Sequence, residues 1–180
     1  MTEKLIRKNS IFKGKVLEFC CDDVRLSNGA TAKREYIQHP GACAVLPFVD
    51  DSNIVLVKQF RYVINQTTYE IPAGKIDAGE TPLECATREL KEETGYRAGK
   101  LNKMISFYPS TAFSTELLHI FTAFDLQKGI AKPDEDEFVV TEILNFSDAL
   151  KMIKSGKITD GKTIIAILNF SIHLSKKFVN

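Results

Sequence analysis

The chain has 180 residues, 44% of them hydrophobic and 26% charged, with a formal net charge of +1. That is enough chain for one well-buried core, and the charge is too balanced for a broad attraction to nucleic acid or an anionic membrane. Its start, MTEKLIRKNS, is charged and lacks the apolar core of a signal peptide, and its longest apolar runs, such as Ile164 to Leu168, are far too short to span a bilayer.

Residues 12 to 38 alternate apolar and polar character, with Val16, Phe19 and Val24 before the Ser27-Asn28-Gly29 turn and Tyr36 and Ile37 after it. This pattern predicts two strands joined by a hairpin, a small antiparallel subdomain over residues 1–40. Cys20 and Cys21 are adjacent on a strand and so point to opposite faces, where at least one packs inward. With Cys43 and Cys85 they form no CxxC pair, so reduced thiols and a cytoplasmic setting are expected. His39, His119 and His173 are too scattered for a metal centre or a catalytic triad.

His39-Pro40-Gly41 breaks the chain and opens a second domain, residues 41–180. Two central strands are expected at Ala42 to Phe48 and Ile54 to Phe60, then one from Thr68 to Ile71 leading into Pro72-Ala73-Gly74. Thr81, Pro82 and Glu84 then form a helix start: an N-cap, a proline at the first helical position, and a glutamate reaching back as in a capping box. The helix runs from Pro82 to about Thr94, where Gly95 can take the left-handed conformation that ends it. Leu83, Ala86, Leu90 and Thr94 share the face that packs on a core.

Glu89, Glu92 and Glu93 project together from an adjacent face. If partly buried, two such charges about 6 Å apart repel by roughly 3 kcal/mol at an effective dielectric of 20. A hard divalent cation neutralises them: Mg²⁺ takes one or two carboxylates and fills its other positions with water and substrate phosphate. Arg88, four residues before Glu92, pairs with it and holds its carboxylate in orientation. A solvated glutamate-rich face is the bland alternative.

Gly74, five residues, Glu80, seven residues, Arg88-Glu89-Leu90, one residue, Glu92-Glu93, one residue and Gly95 decide between the two. The seven fixed Gly, Glu and Arg positions at ordinary usage match by chance about once in 10⁸ starting points. The pattern resembles the signature of the Nudix hydrolases. Arg34-Glu35, His39-Pro40-Gly41-Ala42, Gln59-Phe60-Arg61 and Glu70-Ile71-Pro72-Ala73-Gly74 are similar to its ADP-ribose pyrophosphatase branch.

The resemblance implies an α+β fold, a Nudix α/β/α sandwich with a mixed sheet, and an N-terminal sheet shared in a homodimer. It implies Mg²⁺, with Mn²⁺ as the alternative, held by Glu89, Glu92, Glu93 and the Ala73 carbonyl, with Glu93 and Arg88 in the catalytic set. The expected reaction is hydrolysis of the diphosphate of ADP-ribose or a related nucleoside diphosphate sugar. Another diphosphate substrate (a dinucleotide, a coenzyme or a nucleoside triphosphate) and a non-catalytic nucleotide-sensing module are the alternatives. The partner is a small nucleoside diphosphate derivative, with no nucleic acid and no membrane.

Arg61 either contacts substrate, stacking on a base or forking a phosphate, or is a solvated strand-end arginine. Glu70 either binds the adenine or ribose edge or caps a strand end. Arg34 is a third substrate-binding candidate. After the helix, strands are expected at Lys100 to Phe107 and Leu117 to Phe124, flanking a polar loop from Tyr108 that ends on Glu116. Related enzymes carry a loop glutamate at the matching place, so Glu116 leads as general base. Glu135 and Glu137, in the acidic connection that follows, stand in reserve. The branch usually has a proline just after a serine in this loop; here Thr111 stands there and Pro109 comes two residues early. Tyr96 replaces the usual aliphatic residue at a position that packs inward. The end of the chain reads as a strand over Glu142 to Phe146, a helix capped by Ser147 and reaching about Lys154, and a further helix opened by Asp160 with an apolar stripe from Ile164 to Phe170.

Overall fold

The computed structural model describes residues 2–132 and 138–176, which fold as two units. The first comprises Met1–Gly41 and also takes in Phe107–Leu117. Its sheet is built around β3 (Glu18–Arg25). The hairpin partner β4 (Thr31–Gln38) pairs along its whole length, from Glu18 opposite Gln38 to Arg25 opposite Thr31. The turn closes at Asn28-Gly29, where Gly29 takes φ +87° and the Asn28 side chain accepts from Ala30 N at 3.1 Å.

The other edge of β3 carries two short strands that the sequence reading did not contain, β1 (Lys4–Arg7) and β2 (Ser10–Lys13). Every residue in both is exposed, so neither shows a buried period. The break between them is held by Asn9, whose N–H donates to Asp22 Oδ1 at 2.9 Å and whose side-chain amide donates to Cys21 O at 3.0 Å. Cys20, Asp22 and Val24 are buried on one face of β3, while Val16 and Phe19 are exposed. The second piece of this unit is stitched to the end of β4: Ile37 N donates to Phe113 O at 2.8 Å and Thr115 N to Ile37 O at 3.0 Å.

The second unit comprises Ala42–Ser106 and Leu118–Asn180. Two sheets form its frame. In the first, the fully buried β5 (Ala42–Pro47) lies between β8 (Ala73–Lys75), antiparallel to it, and β10 (Leu118–Lys128), parallel to it, with β9 (Tyr96–Phe107) beyond β10. In the second, β6 (Asn53–Arg61) lies between β7 (Gln66–Glu70) and β11 (Val139–Asn145), antiparallel to both. Helices α1 (Pro82–Thr94), α2 (Phe146–Lys154) and α3 (Gly161–Lys176) pack on these strands, giving an α+β fold with a mixed sheet. No helix of the described residues is long and apolar enough to cross a membrane.

Helix α1 begins and ends as its sequence dictates. Thr81 and Glu84 form a full capping box, and Gly95 closes the helix at φ +76°. Its buried face differs from the expectation at one end: Leu83 is exposed and Cys85 is buried, packing with Ala86 and Leu90 against Cys43, Val45, Val55 and Phe121. Tyr96 packs into the same cluster. All four cysteines are free. Cys43 Sγ donates to Pro82 O at 3.1 Å and Cys85 Sγ to Lys75 O at 3.3 Å, so both thiols bond to backbone carbonyls flanking the helix. The neighbouring Cys43 thiol and burial push the Cys85 thiol up, so it stays protonated. Helix α2 is capped by Asn145, which accepts from Ser147 N at 3.0 Å, so Ser147 is its second residue and not its cap. Asp160 caps α3 through Thr163 N.

Replacing Thr81 by alanine removes the hydroxyl that accepts from Glu84 N and leaves the backbone half of the capping box, Thr81 N to Glu84, in place; losing the side-chain cap costs about 1 kcal/mol. In a chain of this size the melting temperature is then expected to drop by roughly 2–4 °C in calorimetry. An unchanged melting temperature would show that packing alone fixes the start of α1.

Candidate active site

Helix α1 faces strand β8, and Gly74 makes their approach close. A Cβ built on Gly74 would fall inside the Glu89 carboxylate; only a residue without one leaves room for that side chain. Glu89 and Glu93 are buried and Glu92 is half-buried. The Glu93 carboxylate accepts from Ala73 N at 3.3 Å, which fixes it against the same strand.

Arg88 is the hub. Its Nε and Nη2 grip both oxygens of Glu80 at 2.8 and 2.9 Å, its Nη1 reaches Glu89 at 2.5 Å and Glu92 at 3.0 Å, and Nη2 also donates to Lys75 O at 3.0 Å. The bond to Glu80 first, and the other carboxylates with it, push the guanidinium pKa up, so it stays charged. The same bond holds Glu80 below the usual carboxylate range. Glu80 also accepts from Asp77 N at 3.1 Å, which makes it the clasp of the loop entering α1.

Three carboxylates, Glu80, Glu89 and Glu92, thus bond to one guanidinium, with Asp77 4.0 Å away, so negative charge exceeds positive around Arg88. Among the described residues no three His, Cys, Asp or Glu groups stand together as a finished metal cage; Arg88 bridges Glu89 and Glu92. The donors are nonetheless hard oxygens with excess negative charge, and the Gly74 cradle holds one of them against backbone. That set suits a divalent cation.

The last turn of α1 is held from outside. Lys132 N donates to Glu92 O and Gly129 N to Gly95 O, both at 2.9 Å, and Thr141 Oγ1 reaches Glu93 O at 3.4 Å.

A second polar cluster sits at the ends of β6 and β7. Arg61 forks onto Glu70 through Nε and Nη2, each at 2.7 Å. Thr68 Oγ1 and Lys162 Nζ also donate to Glu70, and Lys162 donates to Asp160 at 3.0 Å. Burial would raise the Glu70 pKa, but the Arg61 fork, the Lys162 charge and the Thr68 hydroxyl outweigh it and hold the carboxyl at about 2. A cavity of about 400 Å³ opens beside the cluster, between Val63 and Ile64 on one side and the start of α3 on the other. Sequence reasoning singled out Arg61 and Glu70 but missed Lys162.

Arg34 and Glu116 belong to the first unit. Arg34 is exposed on β4 and forks onto Glu3, at 2.9 Å through Nε and 2.5 Å through Nη2. Glu116 N donates to Ser114 Oγ at 3.1 Å, a bond that closes the end of the loop. Glu135 and Glu137 lie outside the described residues.

The fold is an α+β arrangement already seen in a crystal. A solved structure described as an ADP compounds hydrolase superposes with a TM-score of 0.85, covering 98% of this chain and 96% of that one at 20% sequence identity. The model of the NUDIX domain matches residues 38–165, and this chain belongs to the NUDIX family. Among its relatives, the ADP-ribose pyrophosphatase of Bacillus subtilis (strain 168) is 47% identical over 169 residues, 93% of this chain and 91% of that protein. The methanol dehydrogenase activator of Bacillus methanolicus is 44% identical over 167 residues, 92% of this chain and 90% of that protein.

The Glu70 cluster makes stability depend on acidity in a definite direction. The folded carboxyl titrates at about 2 instead of its ordinary 4.5, so between those values the unfolded chain binds more protons and stability falls as pH falls. Above pH 4.5 the contribution is complete, about 3 kcal/mol from the size of the shift. The gap in urea stability between the wild type and Glu70→Gln is expected to narrow by that amount between pH 6 and pH 2. A gap that does not change with pH would mean that Glu70 is not held ionised by the fold.

Proposed function

We propose that this chain hydrolyses the diphosphate of ADP-ribose or a related nucleoside diphosphate sugar in a Mg²⁺-dependent reaction, with Mn²⁺ able to substitute, giving a nucleoside monophosphate and a sugar phosphate. The observation that carries this reading is the excess of carboxylates around Arg88 on the family's own helix. The 47% identical ADP-ribose pyrophosphatase supports the substrate class.

Glu89, Glu92, Glu93 and the Ala73 carbonyl would hold the cation. Bound there, it would neutralise the diphosphate, polarise its phosphorus and acidify an attacking water. The chain's own residues do the rest. Gly74 seats Glu89 against backbone, and the Ala73 N–H fixes the rotamer of Glu93. The two-point grip of Arg88 on Glu80 keeps the guanidinium in place while it gives up Glu89 or Glu92. Arg61, Glu70 and Arg34 bind and orient the substrate, and Glu116 takes the proton from water. Free cysteines fit a reducing, cytoplasmic setting.

We also place a second copy of the chain on the N-terminal sheet. Leu5, Ile11 and Phe12 are 61%, 62% and 66% exposed there, and Ile6, Val16 and Leu17 are exposed as well, apolar side chains that a second chain would cover.

Three measurements test these readings. With Mg²⁺, phosphate release after coupled phosphatase treatment should appear for ADP-ribose ahead of GDP-mannose, UDP-glucose, NADH and diadenosine polyphosphates. Glu93→Gln and Glu116→Gln should each lower kcat by two orders of magnitude or more with circular dichroism unchanged. Turnover of Glu93→Gln at the wild-type rate would remove the carboxylates from the chemistry, and an unaltered pH–rate profile in Glu116→Gln would move the base elsewhere. Light scattering should give twice the chain mass for the wild type and the single mass for Phe12→Asp; a monomeric wild type would discard the shared sheet.

A further inference from the structure

Glu70 is more heavily bonded than its burial demands. It is 2% exposed, and a buried carboxylate needs a hydrogen-bonded cation to stay ionised. It has two. Oxygen Oε1 takes Arg61 Nε and Thr68 Oγ1, while Oε2 takes Arg61 Nη2 and Lys162 Nζ. Four donors fill the roughly four lone-pair sites of a carboxylate.

The two cations differ in freedom. The Arg61 side chain is 45% exposed, whereas that of Lys162 is 14% exposed. Lys162 is tied a second time, to Asp160, whose other oxygen caps α3 through Thr163. Thr163 in turn accepts from Ile71 N at 2.9 Å, the residue after Glu70, so Lys162 is anchored to both α3 and the end of β7. If the guanidinium departs, each Glu70 oxygen still keeps one donor, Thr68 on Oε1 and Lys162 on Oε2. If Lys162 departs, Arg61 becomes the sole counter-charge and cannot leave without stranding a buried anion.

We infer that Lys162 is a positioning residue for substrate binding: it holds Glu70 so that Arg61 is free to swing onto an anionic oxygen of the diphosphate. The inference rests on the reading of Arg61 as a substrate contact. The neighbouring cavity of about 400 Å³ gives the guanidinium space in which to turn. Lys162 itself stays on Glu70 throughout, so its effect on the reaction runs through Arg61.

Lys162→Met should therefore lock Arg61 onto Glu70. The KM for ADP-ribose should rise about ten-fold, the worth of one charge-assisted hydrogen bond, with kcat within about two-fold of wild type. Lys162→Arg, which keeps the charge, should restore KM. In a Glu70→Gln background nothing remains to lock the guanidinium, so adding Lys162→Met should leave KM where Glu70→Gln alone sets it. A second readout needs no turnover: in protein labelled with ¹⁵N-arginine, the non-hydrolysable α,β-methylene ADP should shift the Arg61 Nε–H resonance in the wild type and leave it unmoved in Lys162→Met. A wild type that shows this shift but no hydrolysis would overturn the proposed reaction and keep the role of Lys162. An unchanged KM in Lys162→Met, or a penalty that persists in the Glu70→Gln background, would overturn that role. Lys162→Gln puts the same question if Lys162→Met does not fold.

Discussion

Everything at the candidate site hangs on one guanidinium. Arg88 is placed by α1 where it meets Glu80, Glu89, Glu92 and the Lys75 carbonyl at once. Without a cation at their centre, carboxylates three and four residues apart on one helix would repel and open the turn. The fork geometry matters as much as the charge, because a planar guanidinium can bind Glu80 with two donors and still present a third to its neighbours. Lysine could supply the charge but not that arrangement. The loop from Gly74 to Thr81 is therefore closed by the same group that keeps the carboxylates together, and fold and chemistry share a single support.

The two polar clusters of the second unit use charge in opposite ways. Around Arg88 negative charge is in excess, which leaves a standing demand for a further cation. Around Glu70 two cations and two carboxylates balance, and the balance is over-supplied with hydrogen bonds. The first arrangement recruits, and the second can exchange one partner without exposing a bare charge. A diphosphate needs both properties from a protein: a cation to bind its oxygens, and a donor that can move onto them without leaving a cost behind.

Much of this was legible in the sequence where a residue's role is local. Thr81, Pro82, Glu84 and Gly95 set the limits of α1 through bonds spanning three or four residues, and Asn28-Gly29 set the hairpin in the same way. The family signature then located the carboxylates. What stayed hidden depends on contacts distant along the chain. Strands β1 and β2 bury nothing of their own, so no periodicity announces them. Leu83 and Cys85 exchanged places because the backbone carbonyls of Gly74 and Lys75 offered a thiol a partner, which a scale of hydrophobicity does not register. Arg61 reaches Glu70 by running its side chain back along the hairpin, past the residue opposite it, Gln66. Lys162 arrives on Glu70 from 92 residues further on.

The meeting of Gly95 with Gly129 carries a consequence for how this protein can diverge. A Cβ on Gly95 would stand 2.7 Å from Ala131 N and 2.9 Å from Gly129 O, and one on Gly129 would stand 3.0 Å from Gly95 O. Each glycine is confined by backbone and not by the other's missing side chain, so no compensating change at one can license a larger residue at the other. A side chain at Gly95, which also takes φ +76°, would need the facing backbone to move, and one at Gly129 would need it to give by a few tenths of an ångström.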